Sequence, residues 1–123
     1  MDELAHVKGR DPRDHLLEMI GPARHIDPTS DGAEFGNYGQ ELAQHPVDTG
    51  RLAAVADKAA EMAGWGRELP EGRGLGIAAH RSFVTYVATV VHARVESDGT
   101  VRVPEVHVAV DCGFAANPER IRS

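Results

Sequence analysis

Two valine-rich runs separated by the turn sequence Ser-Asp-Gly-Thr (97–100) impose the strongest constraint on how this chain can fold. Asp-Gly between two β-prone runs is typical of a tight hairpin, because glycine tolerates the left-handed backbone that such turns require. If the turn has two central residues, Val95 lies opposite Arg102. The sequence therefore predicts a long C-terminal β-hairpin.

This register divides the hairpin side chains between two faces, because successive strand residues point to opposite sides. One face is wholly apolar and is predicted to be core, with the residues Val87, Val91, Val106, Val108 and Val110. The other face is predicted to be the solvent side, with the residues Val90, His92, Arg94, Glu96, Val101, Val103, Glu105 and His107. Pro104 cannot donate a hydrogen bond to a neighbouring strand, so it favours an edge position or a bulge.

The rest of the chain is predicted to contribute helices to the same domain. Helix start and stop signals place residues 1–21 in helices. Residues 22–47 lack periodicity and are predicted to form an irregular loop. Apolar residues at helical spacing predict a helix over 48–64, and a β-meander follows over 72–112. We therefore expect residues 1–123 to form one α+β domain or domain fragment, with two layers in which N-terminal helices pack on a mainly antiparallel sheet.

Composition excludes several classes of function. The chain has 13 Lys and Arg residues against 19 Asp and Glu residues and a formal net charge of -6, which disfavours a nucleic-acid partner. It has no apolar run near the ~20 residues that a membrane span needs. Asp2 and Glu3 stand where a signal peptide would have a basic start. Cys112 is the single cysteine, so neither an intrachain disulfide nor an iron–sulfur cluster held by this chain alone is expected.

Seven histidines suggest a metal site. In the predicted register His92 and His107 are diagonal neighbours on one face, and Glu105 lies opposite His92, which is a known type of ligand set. The alternative is a solvated polar face, because no His-x-x-x-His or Cys-x-x-Cys spacing defines a local ligand set. We favour the alternative and predict no metal, with His92 and His107 as the candidate ligands if one binds.

Two further motifs are interpreted as structural. The glycines at 72, 74 and 76 precede a predicted strand rather than a helix, unlike a phosphate-binding loop, so they are expected to allow close backbone approach. Cys112 has acidic neighbours in sequence, which disfavour the thiolate that a nucleophile needs. No catalytic residue is predicted.

The last motif is Asp111-Cys112-Gly113 followed by Asn117-Pro118. Aspartate at a strand end accepts hydrogen bonds from the backbone of the turn, and glycine permits a positive φ. Asparagine followed by proline is typical of a helix start. The motif is therefore predicted to shape a loop.

This motif resembles a segment of the molybdopterin-binding large subunits of the xanthine dehydrogenase and aldehyde oxidase family, of the isoquinoline 1-oxidoreductase β-subunit type. Other segments resemble the same family in the same order along the chain. They are residues 1–6 with 9–12, 63–66, 72–80 and 82–88. The resemblance covers most of the chain, and residues 22–46 match least.

The resemblance implies an interior segment of a molybdenum-cofactor-dependent hydroxylase large subunit. Such enzymes use water to hydroxylate an aromatic heterocycle or aldehyde carbon and pass electrons to iron–sulfur clusters elsewhere. The implied partners are the rest of the large subunit and an iron–sulfur subunit, in a bacterial cytoplasm or periplasm. The family's cofactor-contacting motifs and its glutamate base have no counterpart here. The isolated chain is therefore expected to hold no cofactor and to be inactive, with Asp111, Gly113 and Asn117 shaping a loop behind the molybdopterin site of the parent.

An alternative is a stand-alone, non-catalytic binding or assembly module that retained this fold. Surfaces that would face the rest of the enzyme would then favour self-association of the chain.

Overall fold

The computed structural model describes residues 2–122, and they form an α+β fold. The helices are α1 (Asp2–Val7), α2 (Pro12–Ile20), α3 (Thr49–Ala63) and α4 (Pro118–Arg122). The strands are β1 (His25–Ile26), β2 (Val47–Asp48), β3 (Arg73–Ser82), β4 (Thr85–Val95) and β5 (Val101–Asp111). β1 and β2 form a short antiparallel ribbon, and β3, β4 and β5 form an antiparallel sheet with β4 at its centre. Because α3 packs across this sheet, the predicted two-layer α+β class is confirmed.

Local chemistry sets both ends of α3. The Asp48 carboxylate accepts hydrogen bonds from the backbone N–H groups of Gly50 (2.8 Å) and Arg51 (3.1 Å), which satisfies two donors that the helix leaves free. Gly64 ends the helix in the left-handed conformation, with φ 62°. The helix face toward the sheet consists mostly of small side chains, which let the two layers approach closely. Its buried residues include Val55, Ala56, Ala59, Ala60 and Ala63.

The core lies between α3 and the sheet and extends under α2. Its remaining members come from α2 and the three long strands, and they are Leu16, Ile20, Ile77, Tyr86, Ala88, Val90 and Ala109. Trp65 packs at the edge of this core, and its Nε1 donates a hydrogen bond to the Asp11 carboxylate (3.0 Å). The indole therefore joins the end of α3 to the start of α2.

The segment predicted to be irregular, 22–47, contains β1, a 3-10 turn over 37–39 and the start of β2. Asn37 is buried, and its Nδ2 donates to the His45 carbonyl (3.1 Å). Arg81 of β3 donates to both Asn37 Oδ1 (2.8 Å) and the His45 carbonyl (3.1 Å). Hydrogen bonds from a distant strand hold this segment in place. Because such contacts do not repeat along the segment, they produce no periodic sequence pattern.

The hairpin turn has one residue more than predicted. Glu96 N–H donates to the Thr100 carbonyl, and Gly99 N–H donates to the Glu96 carbonyl (both 2.9 Å), so three residues lie inside the closing pair. Gly99 adopts φ 83°, a left-handed value that suits the last residue of such a loop. As a consequence Val95 pairs with Val101, one residue away from its predicted partner.

A β-bulge restores the predicted register farther from the turn. Between the pair His92–Glu105 and the next pair toward the turn, β4 has one residue and β5 has two, Val103 and Pro104. Glu105 therefore lies opposite His92, as predicted. Pro104 lies both in a bulge and on an edge strand, because the bulge is on β5. Both positions suit a residue that has no N–H to donate.

Within residues 2–122, no helix combines the length and apolar character needed to cross a membrane.

Candidate functional site: an uncovered valine face and the loop beside it

The face of the hairpin that α3 covers is the one that the sequence predicted to be the solvent side. Val90 and His92 are 0% and 4% exposed, whereas Val106, Val108 and Val110 are 52%, 46% and 43% exposed. The prediction that Val106, Val108 and Val110 belong to the core is therefore wrong. Strand alternation separated the two faces but did not identify which one the helix covers.

Long-range polar contacts determine which face is covered. The buried Tyr86 hydroxyl donates to the Pro46 carbonyl (2.9 Å) and accepts from the Asp48 N–H (2.7 Å). On the same face, Asp111 pairs with Arg51 of α3. These partners come from distant parts of the chain, so no pattern within the hairpin reports them.

The bulge enlarges the uncovered face. Because β5 has an extra residue at the bulge, Val101 and Val103 lie on the same side as Val106, and the prediction that placed them on the other face was wrong. Both are more than half exposed. We call the uncovered set the valine face, and it comprises Val87, Val91, Val95, Val101, Val103, Val106, Val108 and Val110.

The valine face carries no charged side chain from β4 or β5. The register places the charged residues of these strands on the helix side, and these residues are Arg94, Arg102, Glu105 and Asp111. The other β4 residues on this face are Thr85, Thr89 and Ala93, and none of them is charged. Asp2 borders the surface near Gly76 of β3. A contiguous, uncharged apolar surface of this kind marks an interaction site.

Asp111 ends β5 and is held by Arg51. Arg51 Nε donates to Asp111 Oδ2 and Nη2 donates to Oδ1, both at 2.7 Å. The backbone N–H of Gly113 also donates to Oδ1 (3.0 Å), and Gly113 has φ 75°. The Arg51 hydrogen bonds are the main cause that lowers the pKa of Asp111 to about 2. The turn geometry follows the sequence prediction, but nothing in the local sequence indicated Arg51.

The loop after Asp111 borders an open cavity of about 570 Å³. Asn117 immediately precedes α4, and its Oδ1 accepts a long hydrogen bond from the Arg120 N–H (3.4 Å). The lining residues are Val108, Val110, Asp111, Cys112, Gly113, Ala115, Pro118, Ile121 and Arg122. Of the three predicted loop residues, Asp111 and Gly113 line the cavity and Asn117 does not. Since Val108 and Val110 also belong to the valine face, the cavity and the face are continuous.

The structure brings His92, Glu105 and His107 together. Glu105 Oε2 lies 3.7 Å from His92 Nδ1, 3.6 Å from His107 Nε2 and 3.2 Å from Arg67 Nη2. The Arg67 hydrogen bond is the main cause that lowers the pKa of Glu105. Among the described residues, no group of three or more His, Cys, Asp or Glu side chains is arranged to hold a metal ion. The cation that balances the Glu105 carboxylate is the Arg67 guanidinium.

Of the three glycines predicted to allow close approach, Gly72 and Gly76 do so, whereas a Cβ on Gly74 would meet no atom within 4 Å. A Cβ on Gly72 would lie 3.0 Å from the Val95 carbonyl oxygen, and one on Gly76 would lie 3.1 Å from Asp2 Oδ2. Asp2 Oδ2 accepts a hydrogen bond from the Ile77 N–H (3.1 Å). Gly72 thus allows the β4 backbone to come close, and Gly76 allows the Asp2 side chain of α1 to come close.

Comparison of the chain with known protein families, with curated proteins and with solved structures gives no match.

Proposed function

We propose that this chain is a non-catalytic domain of a molybdenum-cofactor-dependent hydroxylase large subunit, and that its valine face packs on another part of that subunit. The uncovered valine face is the observation that supports a docking role. The ordered motif resemblance, from the N-terminal helices to Asp111, Gly113 and Asn117, supports this choice of parent enzyme.

Burial of the valine face would supply the docking energy. Six of its valines expose between 43% and 65% of their surface. Complete burial of one valine is worth roughly 1.5 kcal/mol, so each half-exposed valine has roughly half of that left to contribute. An apolar sheet face is the complementary partner, because two such faces interdigitate about 10 Å apart.

In this proposal Asp111 does not bind molybdopterin directly. Both oxygens of Asp111 already accept hydrogen bonds from Arg51, and one also accepts from Gly113. In this proposal Asp111 and Gly113 keep the shape of the loop, and residues elsewhere in the parent would bind the cofactor.

The test is to recover the native polypeptide from its source cells with an antibody raised against the 123-residue chain. We expect a polypeptide many times larger than 13.2 kDa that carries molybdenum by elemental analysis. Antibody pre-absorbed with the pure chain is the control and should recover neither. A polypeptide near 13.2 kDa, or a large one without molybdenum, would contradict the proposal.

The second candidate is a stand-alone assembly module that pairs with itself. The valine face supports it, because one uncharged patch can form an isologous contact between two copies of an acidic chain. A native polypeptide near 13.2 kDa that sediments as a dimer would favour this candidate.

A further inference from the structure

An apolar cleft lies on the opposite side of the sheet from the valine face. It has a volume of about 390 Å³ and is bordered by α2, the β1–β2 ribbon, the start of α3 and the ends of β3 and β4 that meet at their connection. This volume is in the range of small-molecule sites. Its aliphatic walls are Leu16, Met19, Ile20, Ile26, Val47 and Leu52.

The neutral and acidic groups in the cleft already have protein partners. The Thr49 hydroxyl donates to the Pro22 carbonyl (2.8 Å). Asp48 Oδ1 caps α3, and its Oδ2 lies 3.4 Å from His25 Nε2. The Tyr86 hydroxyl bridges two backbone groups. None of these groups therefore requires a ligand.

The two arginines of the cleft, Arg24 and Arg81, are different because within residues 2–122 they bond only neutral acceptors. Arg24 Nη1 donates to two backbone carbonyls, and Arg81 Nη2 donates to an amide oxygen and a carbonyl. By contrast, Arg51, Arg67 and Arg94 each pair with a carboxylate.

We propose that this cleft binds a small aliphatic monocarboxylate, with the carboxylate at Arg81 and the hydrocarbon body among the six aliphatic side chains. Guanidinium to carboxylate hydrogen bonds are charge-assisted and stronger than the bonds that Arg81 makes to neutral acceptors, so a carboxylate is the ligand group that this guanidinium favours. Asp48 also lines the cleft, so a ligand with one negative charge is favoured over a dianion such as a phosphate ester. The apolar walls disfavour a ligand whose body is polar.

Octanoate is the probe, and octanamide is its uncharged match with the same hydrocarbon chain. We expect calorimetric titration of the 123-residue chain to give at least about tenfold tighter binding of octanoate, because only the carboxylate forms charge-assisted bonds with Arg81. Amide cross-peaks of α2 and the β1–β2 ribbon should shift in the NMR spectrum. Equal affinity for the two probes, or no binding of octanoate, would overturn the proposal.

Two tryptophan substitutions locate the site without touching either arginine. Met19→Trp fills the mouth of the cleft, and we expect at least a tenfold loss of octanoate affinity. Met62→Trp is the matched control, because Met62 is also a partly exposed helix residue but does not line the cleft.

Arg81→Gln should remove the preference for octanoate over octanamide. If Arg81→Gln does not fold, Met19→Trp still tests the location of the site. Unchanged octanoate affinity in Met19→Trp would overturn the assignment of the ligand to this cleft. This outcome is independent of the docking proposal, since the cleft and the valine face lie on opposite sides of the sheet.

Discussion

Arg51 in the first turn of α3 and Asp111 at the end of β5 form a two-point ion pair, although they are 60 residues apart in sequence. The Arg51 guanidinium also lies over the Tyr86 ring, 4.6 Å from its centroid. The same carboxylate accepts a hydrogen bond from the Gly113 N–H. One contact therefore joins the helix layer, the sheet and the loop that borders the valine face.

Asp111→Asn should lower the free energy of unfolding by about 1 kcal/mol near neutral pH, a value reduced for solvent screening because both side chains are about one third exposed. The pKa of Asp111 is lowered from 3.8 to about 2, so this stabilisation is present above the unfolded-state pKa and is lost as the pH falls toward about 2. Urea unfolding at several pH values should show the difference between wild type and variant shrinking below about pH 4. Glu61→Gln, in the exposed Lys58–Glu61 pair, is the control and should change stability by less than ~0.5 kcal/mol. A difference that persists undiminished near pH 2 would contradict this assignment.

Gly99→Ala should destabilise the chain by about 1 kcal/mol, because Gly99 has φ 83° in the hairpin turn and an L residue is strained there. Gly74→Ala is the matched control. A Cβ at Gly74 meets no atom within 4 Å, and its φ is outside the left-handed region. Thermal unfolding of both variants distinguishes strain from a general effect of removing glycine. Equal losses would show that the turn does not require the left-handed conformation.

Tyr86→Phe should cost about 1–3 kcal/mol of unfolding free energy, because it removes the acceptor for the Asp48 N–H and leaves that donor without its partner. Tyr38→Phe removes a hydroxyl from a half-exposed ring and should be nearly neutral. Chemical denaturation gives both values. A neutral Tyr86→Phe variant would mean that water replaces the hydroxyl at β2.

The double variant Val106→Lys, Val108→Lys should remove association through the valine face and leave the fold intact, because both side chains are about half exposed in the isolated chain. Sedimentation velocity over a concentration series should show self-association of wild type and a monomeric double variant. Met62→Lys introduces a charge at an exposed position of α3 and should associate as wild type does. A wild-type chain that stays monomeric at high concentration would count against a self-pairing module, and it would leave docking within a larger subunit to be tested separately.

Several local features of the candidate site follow from sequence because their causes are local. The turn at Asp111 and Gly113 depends on a carboxylate that bonds the backbone two residues later and on a glycine with positive φ. The proximity of His92 to Glu105 follows from strand pairing beyond the bulge. Arg51 and Arg81 could not be assigned in this way, because the groups they contact belong to segments far away in the chain.

Local sequence signals are enough to predict the α+β class, the end of α3 at Gly64, the long hairpin and the position of Pro104 at an edge or bulge. Propensity, caps and hydrogen-bonding capacity depend on neighbouring residues. The side of the hairpin that meets α3, in contrast, depends on long-range contacts. A regular strand displays two alternating faces, and the covered one depends on distant partners, here Pro46 and Asp48 for Tyr86. The extra residue of the bulge then added Val101 and Val103 to the uncovered side, so the surface predicted to be core became the candidate interaction face.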